Sequence, residues 1–468
     1  MRPSQTLKPF PYLALIACIL YWIYLASTAQ PILVHDALVY EHLGSVINKH
    51  GWVEYLKTGP NREPLYPLLI SLSMRLADGL SVSYLSIQIF FQFVILFLSS
   101  LLILRILDRL NVRTFLKTCA VIYFGFSPAI INSACSLFSE ILTYPFILLF
   151  ILISANIFES IKTDKTKQVI IQTISLGFVL VSLTLIKAVF EVVISLILLF
   201  YLFWIIQTFI KKEKRLSKSL ALSLIVLFLT SSTAIFLYKE ANQKFNGHFA
   251  LTDRGAWALY GNIARRMEPL NKDQIQEALA YIPGENFCKN VRGENNCGFW
   301  SWKISDQLGA DKHHELEKQN LPANQLDQKL ITLAFGQMVE HPFQAVSLTF
   351  VEGSKMMFWE STQIGFVIYP TWLMKIYNGW LLKYGLSFGM ALLTLLAVLY
   401  LIVFTLKQRN DKSQPLLGPM VVVILTFIAI HSIFYILPRY AFPLAPLYLV
   451  AIAFVLDRYF TTHFPLSS

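Results

Sequence analysis

The chain is short of charge. Only 14% of its 468 residues are Asp, Glu, Lys or Arg, against about a quarter in soluble proteins, while 55% are hydrophobic. With a mean hydropathy of +0.55 this excludes an ordinary soluble domain and points to an all-α integral membrane protein. Cysteine is also scarce: the five present lack the spacing and the nearby His of a zinc site, so no metal site is expected on them. Internal repeats and low-complexity tracts are missing, which speaks against a transporter built from two related halves. Acids are outnumbered, with 28 Asp and Glu against 39 Lys and Arg. A net charge of +11 would suit a nucleic-acid binder, but the basic residues sit in short clusters between apolar runs and leave no basic face for a duplex.

What the chain does have is apolar runs of about 20 residues, the length that crosses a bilayer. Ten are expected, at 10–30, 82–106, 115–134, 140–158, 169–188, 190–210, 219–238, 385–406, 417–437 and 440–460. The first exceeds a signal-peptide core and reads as a retained span. With ten spans, Arg2 and Lys8 fall on one side with the clusters around Arg105–Lys117, Lys162–Lys167, Lys211–Lys218 and Lys407/Arg409/Lys412. That side is expected to be cytoplasmic. Three regions follow: an N-terminal membrane module, 1–238, holding a first outer loop at 31–81; an outer segment, 239–384; and the last three spans within 385–468. The 65–76 run is too short to cross and is expected as an interfacial helix. In the outer segment, 328–380 has apolar runs broken by Glu340, Glu352, Lys355 and Glu360 and dotted with Trp, and is expected along the outer surface. Cys18, Cys119 and Cys135 read as small apolar residues. Cys288 and Cys297 are either unrelated thiols or a disulfide, and their outer location favours the disulfide.

Ionic residues near the outer ends of spans are the candidates for chemistry, because charge at a membrane is costly to desolvate. Asp36 shares a helix face with Tyr40; it is either a simple helix cap or a reactive carboxylate. Arg62-Glu63-Pro64-Leu65-Tyr66-Pro67 offers a phosphate-binding Arg, or a charged rim beside a Pro-started helix. Glu140 opens a span, where the helix dipole alone would favour an acid. Lys187 is a ligand cation or an ion-pair partner of Glu191. Arg439-Tyr440 stands on the side where the positive-inside bias depletes Arg, and is either a phosphate clamp or an interfacial anchor. Together they bring two acids and three cations to one face.

These residues resemble the GT-C superfamily of polytopic glycosyltransferases, and within it the branch of lipid A aminoarabinose transferases and protein O-mannosyltransferases. The likeness lies in Asp36 and Tyr40 after the first span and the Arg62–Pro67 run. It extends to Ser127-Pro128 with Ser139-Glu140, Leu185-Ile186-Lys187, Arg439-Tyr440 with Pro443 and Pro446, and the 253–262 stretch. It implies a polyprenyl-phosphate-linked sugar donor, transfer at the outer face of a bacterial inner membrane (or an endoplasmic reticulum), and Asp36 as the catalytic acid. Arg62, Lys187 and Arg439 would hold the phosphate, with Tyr40, Glu63, Tyr66 and Tyr440 at the substrate. Asp36 has no adjoining acid, lying between His35 and Ala37, which argues against a divalent metal; no cofactor is implied. The acceptor, whether lipid, glycan or protein, is not implied. As general base Asp36 would contribute about 10²–10⁴-fold, and Glu140 is the second candidate carboxylate. Competing readings are a polysaccharide polymerase or ligase using a diphosphate lipid, and a non-enzymatic lipid or sugar transporter.

Overall fold

The computed structural model describes residues 9–163, 165–360, 364–408, 411, 413–434 and 437–463. Arg2, Lys8, Arg409 and Lys412 lie outside the described residues, as do positions 435–436 of the expected 417–437 span. The protein is a helical multi-pass membrane protein. Among the described residues nine helices are long and apolar enough to cross a bilayer: Phe10–Thr28, Tyr84–Arg109, Glu140–Lys162, Thr166–Ile186, Phe190–Ile210, Lys214–Asn246, Leu381–Lys407, Gln414–Ile433 and Pro438–His463. Apolar side chains cover their outward faces. Phe200, Phe203, Ile206 and Phe209 all stand exposed on one helix, an apolar surface that water would not tolerate and lipid would. The last helix runs through the middle, with Leu447, Tyr448, Val450 and Ala451 completely buried.

The expected continuous span at 115–134 is instead two helices, Thr114–Phe126 and Pro128–Cys135, bent by 45°. The cause is local. Pro128 has no N–H to continue the ladder, and the groups freed at the break find other partners. Ser127 Oγ accepts from the Ile130 N–H at 3.3 Å and donates to Glu360 Oε2 at 2.7 Å, while Glu360 Oε1 accepts from the Ala129 N–H at 3.3 Å. Glu360 is thus a fully buried cap, not a surface acid. Glu352 and Trp359 are fully buried too, whereas Trp372 and Trp380 are exposed, so only part of 328–380 has the surface character read from the sequence.

The helices have two distinguishable ends. At one, Arg113 meets Asp457 (3.7 Å) and Arg458 meets Asp411 (3.6 Å), tying the 110–113 connection and Asp411 to the end of the last helix. The Lys and Arg clusters of the other short connections alternate along the chain to this same end. At the opposite end lie the connection 29–83 and a helical head, residues 247–360 and 364–380. The connection contributes helices Asp36–His50, Trp52–Lys57 and Leu65–Leu80. A two-residue antiparallel ladder, Gln30–Pro31 with Val367–Ile368, joins the connection to the far end of the head.

The head has its own small core around Ile263, Tyr281 and the fully buried Trp300. Its helices Gly255–Met267 and Trp302–Glu317 cross very closely. A Cβ on Gly261 would lie 2.0 Å from the Ser305 carbonyl oxygen, and one on Gly309 would lie 2.3 Å from that of Trp257, so both positions require glycine. Cys288 and Cys297 are joined by a disulfide beside this core. Asn262 and Arg266 reach into the membrane bundle and donate to the carbonyls of Ile433 (3.1 Å), Ser432 (2.8 Å) and Phe434 (3.2 Å). These are the orphan acceptors at the end of helix Gln414–Ile433, and a cation there also opposes the helix dipole.

Candidate functional site

Where the head meets the membrane helices there is a cavity of about 710 Å³. Asp36, Tyr40, Arg62, Glu63, Glu140, Lys187, Arg439 and Tyr440 all line it. They come from four segments far apart in sequence, brought to one place because every second connection of an up-and-down bundle falls at the same end.

Asp36 is the first residue of its helix, and among the described residues no backbone N–H donates to its carboxylate. Instead Oδ1 accepts from Arg62 Nη2 at 2.5 Å and Oδ2 accepts from Arg439 Nη2. Burial pushes its carboxyl up, but the guanidiniums of Arg439 and Arg62 and the Lys187 ammonium outweigh that and hold it far below the usual carboxylate range. The residue before it, His35, has φ 50° and ψ −120°, and the Ala37 N–H donates to the Val34 carbonyl at 3.1 Å. This is a tight turn of the kind that places glycine at its first central position. An L-residue there carries strain, immediately beside the carboxylate.

Around this clamp the other candidates interlock. Lys187 donates to Glu140 at 3.1 Å, with Glu140 almost fully buried. The expected alternative, Lys187 with Glu191, is not made: Glu191 pairs with Lys239 at 2.5 Å. Glu63 accepts from the Ala188 N–H at 2.6 Å, fixing the turn that presents Lys187. The Tyr40 hydroxyl shares a hydrogen bond with Ser139 at 2.9 Å. Tyr66, read from the sequence as a substrate contact, is placed elsewhere. It is fully buried behind Tyr40, ring edge to ring face at 5.0 Å, and its hydroxyl donates to Gln92 at 2.7 Å. The Leu65–Leu80 helix turns Tyr66 inward because its inner face packs on the Asp36 helix.

The head supplies the facing wall: Arg254 and Trp257, from the 253–262 stretch that the sequence singled out without a role, and Trp302 and Asp306, which it did not single out, with Tyr384 and Lys383 at the side. Trp302 and Asp306 are four apart on one helix, so they share a face, but nothing in the polar 247–326 stretch marks which face looks into a cavity. The Arg254 guanidinium lies over the Trp257 ring at 5.2 Å. Asp306 is pushed above its ordinary value by burial, against the pull of Arg254 and with the repulsion of Asp36.

Deeper in the head, outside the Asp36 clamp, Lys355 and Glu352 pair at 2.9 Å with Arg265 at 3.7 Å from Glu352, all essentially without exposure. Burial lowers the Lys355 amine to about 8 and the Arg266 guanidinium to about 10. One group among the described residues has its ligand atoms close enough for a metal ion, His313, His314 and Glu317, on the outside of the head and away from the cavity. Those side chains already pair with one another, Glu317 with His313 at 3.5 Å and with His314 at 2.8 Å. Compared with family models, curated proteins and solved structures, the chain matches none.

Proposed function

We propose that this protein is a membrane glycosyltransferase of the GT-C kind. It moves a sugar from a polyprenyl-phosphate-linked donor to a hydroxyl acceptor. With the bent pair taken as one crossing there are ten spans among the described residues, and the positive-inside bias favours a cytoplasmic location for the Lys/Arg-rich end. The cavity then opens on the outer face, which in a bacterium is the periplasmic side of the inner membrane. One observation carries the reading: the Asp36 carboxylate is held between two guanidiniums, with a third cation nearby, in a cavity at the bundle's end.

Paired guanidiniums match a phosphate as well as a carboxylate. A donor phosphodiester entering from the lipid side competes with Asp36 for Arg62 and Arg439. As the phosphate takes them, Asp36 loses the cations that keep it a weak base, and its proton affinity rises beside the acceptor. The acceptor oxygen then attacks the anomeric carbon, the bond from that carbon to the phosphate oxygen breaks, and the acceptor proton passes to Asp36. Polyprenyl phosphate leaves with the bonding pair, its charge stabilised by Arg62, Arg439 and Lys187. Attack opposite the phosphate inverts the anomeric centre. Glu140, locked on Lys187, orients that cation and is not the nucleophile.

Asp36→Asn tests the reading. Membranes holding the variant at normal levels are expected to lose transfer from polyprenyl-phosphate-hexose donors, read by mass spectrometry of envelope glycolipids. Undiminished product in that variant overturns the mechanism.

A further inference from the structure

The two walls of the cavity are held differently. On the membrane side each ionic group already has a partner. On the head side Trp302, Asp306 and Arg254 make no side-chain hydrogen bond or close ion pair among the described residues, although all three face the cavity. Asp306 has four vacant lone-pair positions, Arg254 a planar fork of donors and Trp302 an indole N–H beside a broad apolar face. Among these three groups one positive and one negative charge cancel, so the trio by itself has no net preference for an anion. It offers an aromatic platform with a few convergent polar groups, the composition of a small-molecule site. A neutral ring bearing both hydroxyl donors and oxygen acceptors is the ligand that satisfies it.

We propose that Trp302, Asp306 and Arg254 form a monosaccharide subsite, with a pyranose ring lying on Trp302, its hydroxyls donating to Asp306 and its oxygens accepting from Arg254. The inference rests on the glycosyl-transfer reading for its role, and names the sugar-recognising wall of that site. His35 joins the two walls, its ring meeting Trp302 edge to face at 5.7 Å while its own backbone positions Asp36. A sugar on Trp302 is therefore held next to the reactive carboxylate. Its source is either the lipid-linked donor or a glycan acceptor.

Binding to the full-length protein in detergent separates these. Three probes are compared: farnesyl methyl phosphate, which has the phosphodiester and no sugar; a panel of farnesyl phosphoryl hexoses; and the matching methyl hexosides. At least one hexose-bearing probe is expected to bind about tenfold more tightly than its sugar-free counterpart, a gain worth one or two good hydrogen bonds. For the methyl hexosides the counterpart is methanol. Asp306→Asn and Trp302→Leu are each expected to abolish the gain while leaving farnesyl methyl phosphate within twofold, which also shows that both variants fold. A gain on the lipid-linked probes assigns the subsite to the donor sugar, and a gain on the methyl hexosides assigns it to the acceptor. No gain on any hexose, or a gain that survives both substitutions, overturns the subsite even when the phosphodiester binds. Failure of the phosphodiester itself overturns the lipid-phosphate reading, and the methyl hexosides then decide the subsite alone.

Discussion

The molecule uses two pairs of arginines in opposite ways, one pair lining the cavity and the other deeper in the head. Arg265 and Arg266 are fully buried and give most of their donors to backbone carbonyls, Trp300 and Ser301 within the head and Ser432 and Phe434 at the end of a membrane helix, while Arg265 also donates to Asn262 Oδ1 at 2.7 Å and lies 3.7 Å from the solvent-shielded Glu352. Arg62 and Arg439 keep an edge on the cavity, and each gives its shortest bond to one small carboxylate, Asp36. A carbonyl at a helix end has no better partner to offer an incoming ligand. A carboxylate lining a void is exchangeable, because another anion presents the same oxygens. The partner, more than the charge, separates a cation that holds the fold from one that is available to a substrate.

The comparison breaks first at Arg266. Arg266→Ala leaves two helix-end carbonyls and the buried Glu352 poorly matched, and is expected to cost about 3–5 kcal/mol, seen as loss of folded protein in detergent thermal unfolding. Arg62→Ala removes one of two partners from a carboxylate with access to water and is expected to cost about 1 kcal/mol or less. Equal losses would show that both pairs are structural. The second expectation concerns ligand. Arg439→Gln should weaken farnesyl methyl phosphate binding about 10–100-fold, the value of one charge-assisted contact. Asp36→Asn should do the reverse, tightening it several-fold while transfer is abolished, because the competitor for both guanidiniums has gone. Weaker phosphate binding in Asp36→Asn would mean that the carboxylate builds the phosphate site instead of guarding it.

The third expectation uses pH and sets Asp36 against Asp306. Asp36 is held below its ordinary value, so its contribution to stability is present above the unfolded value near 3.8 and is lost only as pH falls through the lower folded value. The clamp is therefore intact from pH 8 down to pH 4. Asp306 is raised, so it takes up a proton at a pH above 3.8, and its ability to accept hydroxyl protons fades while the clamp still stands. The hexose-dependent gain in affinity is expected to shrink, up to its full tenfold, as pH is lowered from 7 toward 4. Farnesyl methyl phosphate, a monoanion throughout this range, should bind almost unchanged. A parallel decline for both probes would locate the titrating group in the phosphate clamp.

Much of the membrane part is legible in the sequence because the bilayer imposes a length and the positive-inside bias a direction. The runs that became single helices were long and uninterrupted. Ser127-Pro128 carried the signal of the one that broke, yet its 45° bend also needed Glu360, a residue 231 positions beyond Ala129, to satisfy the freed N–H groups. On the membrane wall, Asp36, Arg62, Lys187 and Arg439 were readable as ionic side chains at the ends of spans, where charge is expensive. Tyr66 misled because a Tyr near Arg62 looks the same whether its helix turns it to the cavity or to Gln92. The head wall was only partly readable: the resemblance covered the 253–262 stretch with Arg254 and Trp257 but gave them no role, and nothing marked Trp302 or Asp306. Arg254, Trp302 and Asp306 lie in a stretch where polar residues are unremarkable, and what brings them to the cavity is the close Gly261–Gly309 crossing and the Arg266 anchor. Both are long-range contacts with no local pattern.

The smallest expected effect bears on the link between the two walls. His35 holds a conformation that glycine adopts without strain, so His35→Gly should relieve about 1 kcal/mol or slightly more, less the extra flexibility glycine adds to the unfolded chain. The net expectation is a small rise in the unfolding temperature. The same change removes the ring that meets Trp302 and loosens the turn that aims Asp36. Transfer should therefore fall several-fold, and hexose affinity by less, while farnesyl methyl phosphate binding stays within twofold. A variant that is both more stable and less active would identify the strain at His35 as a cost kept for the sake of position. If His35→Gly instead destabilises the protein, the ring contact outweighs the backbone strain, and His35 belongs with Arg266 among the residues that hold the head to the bundle.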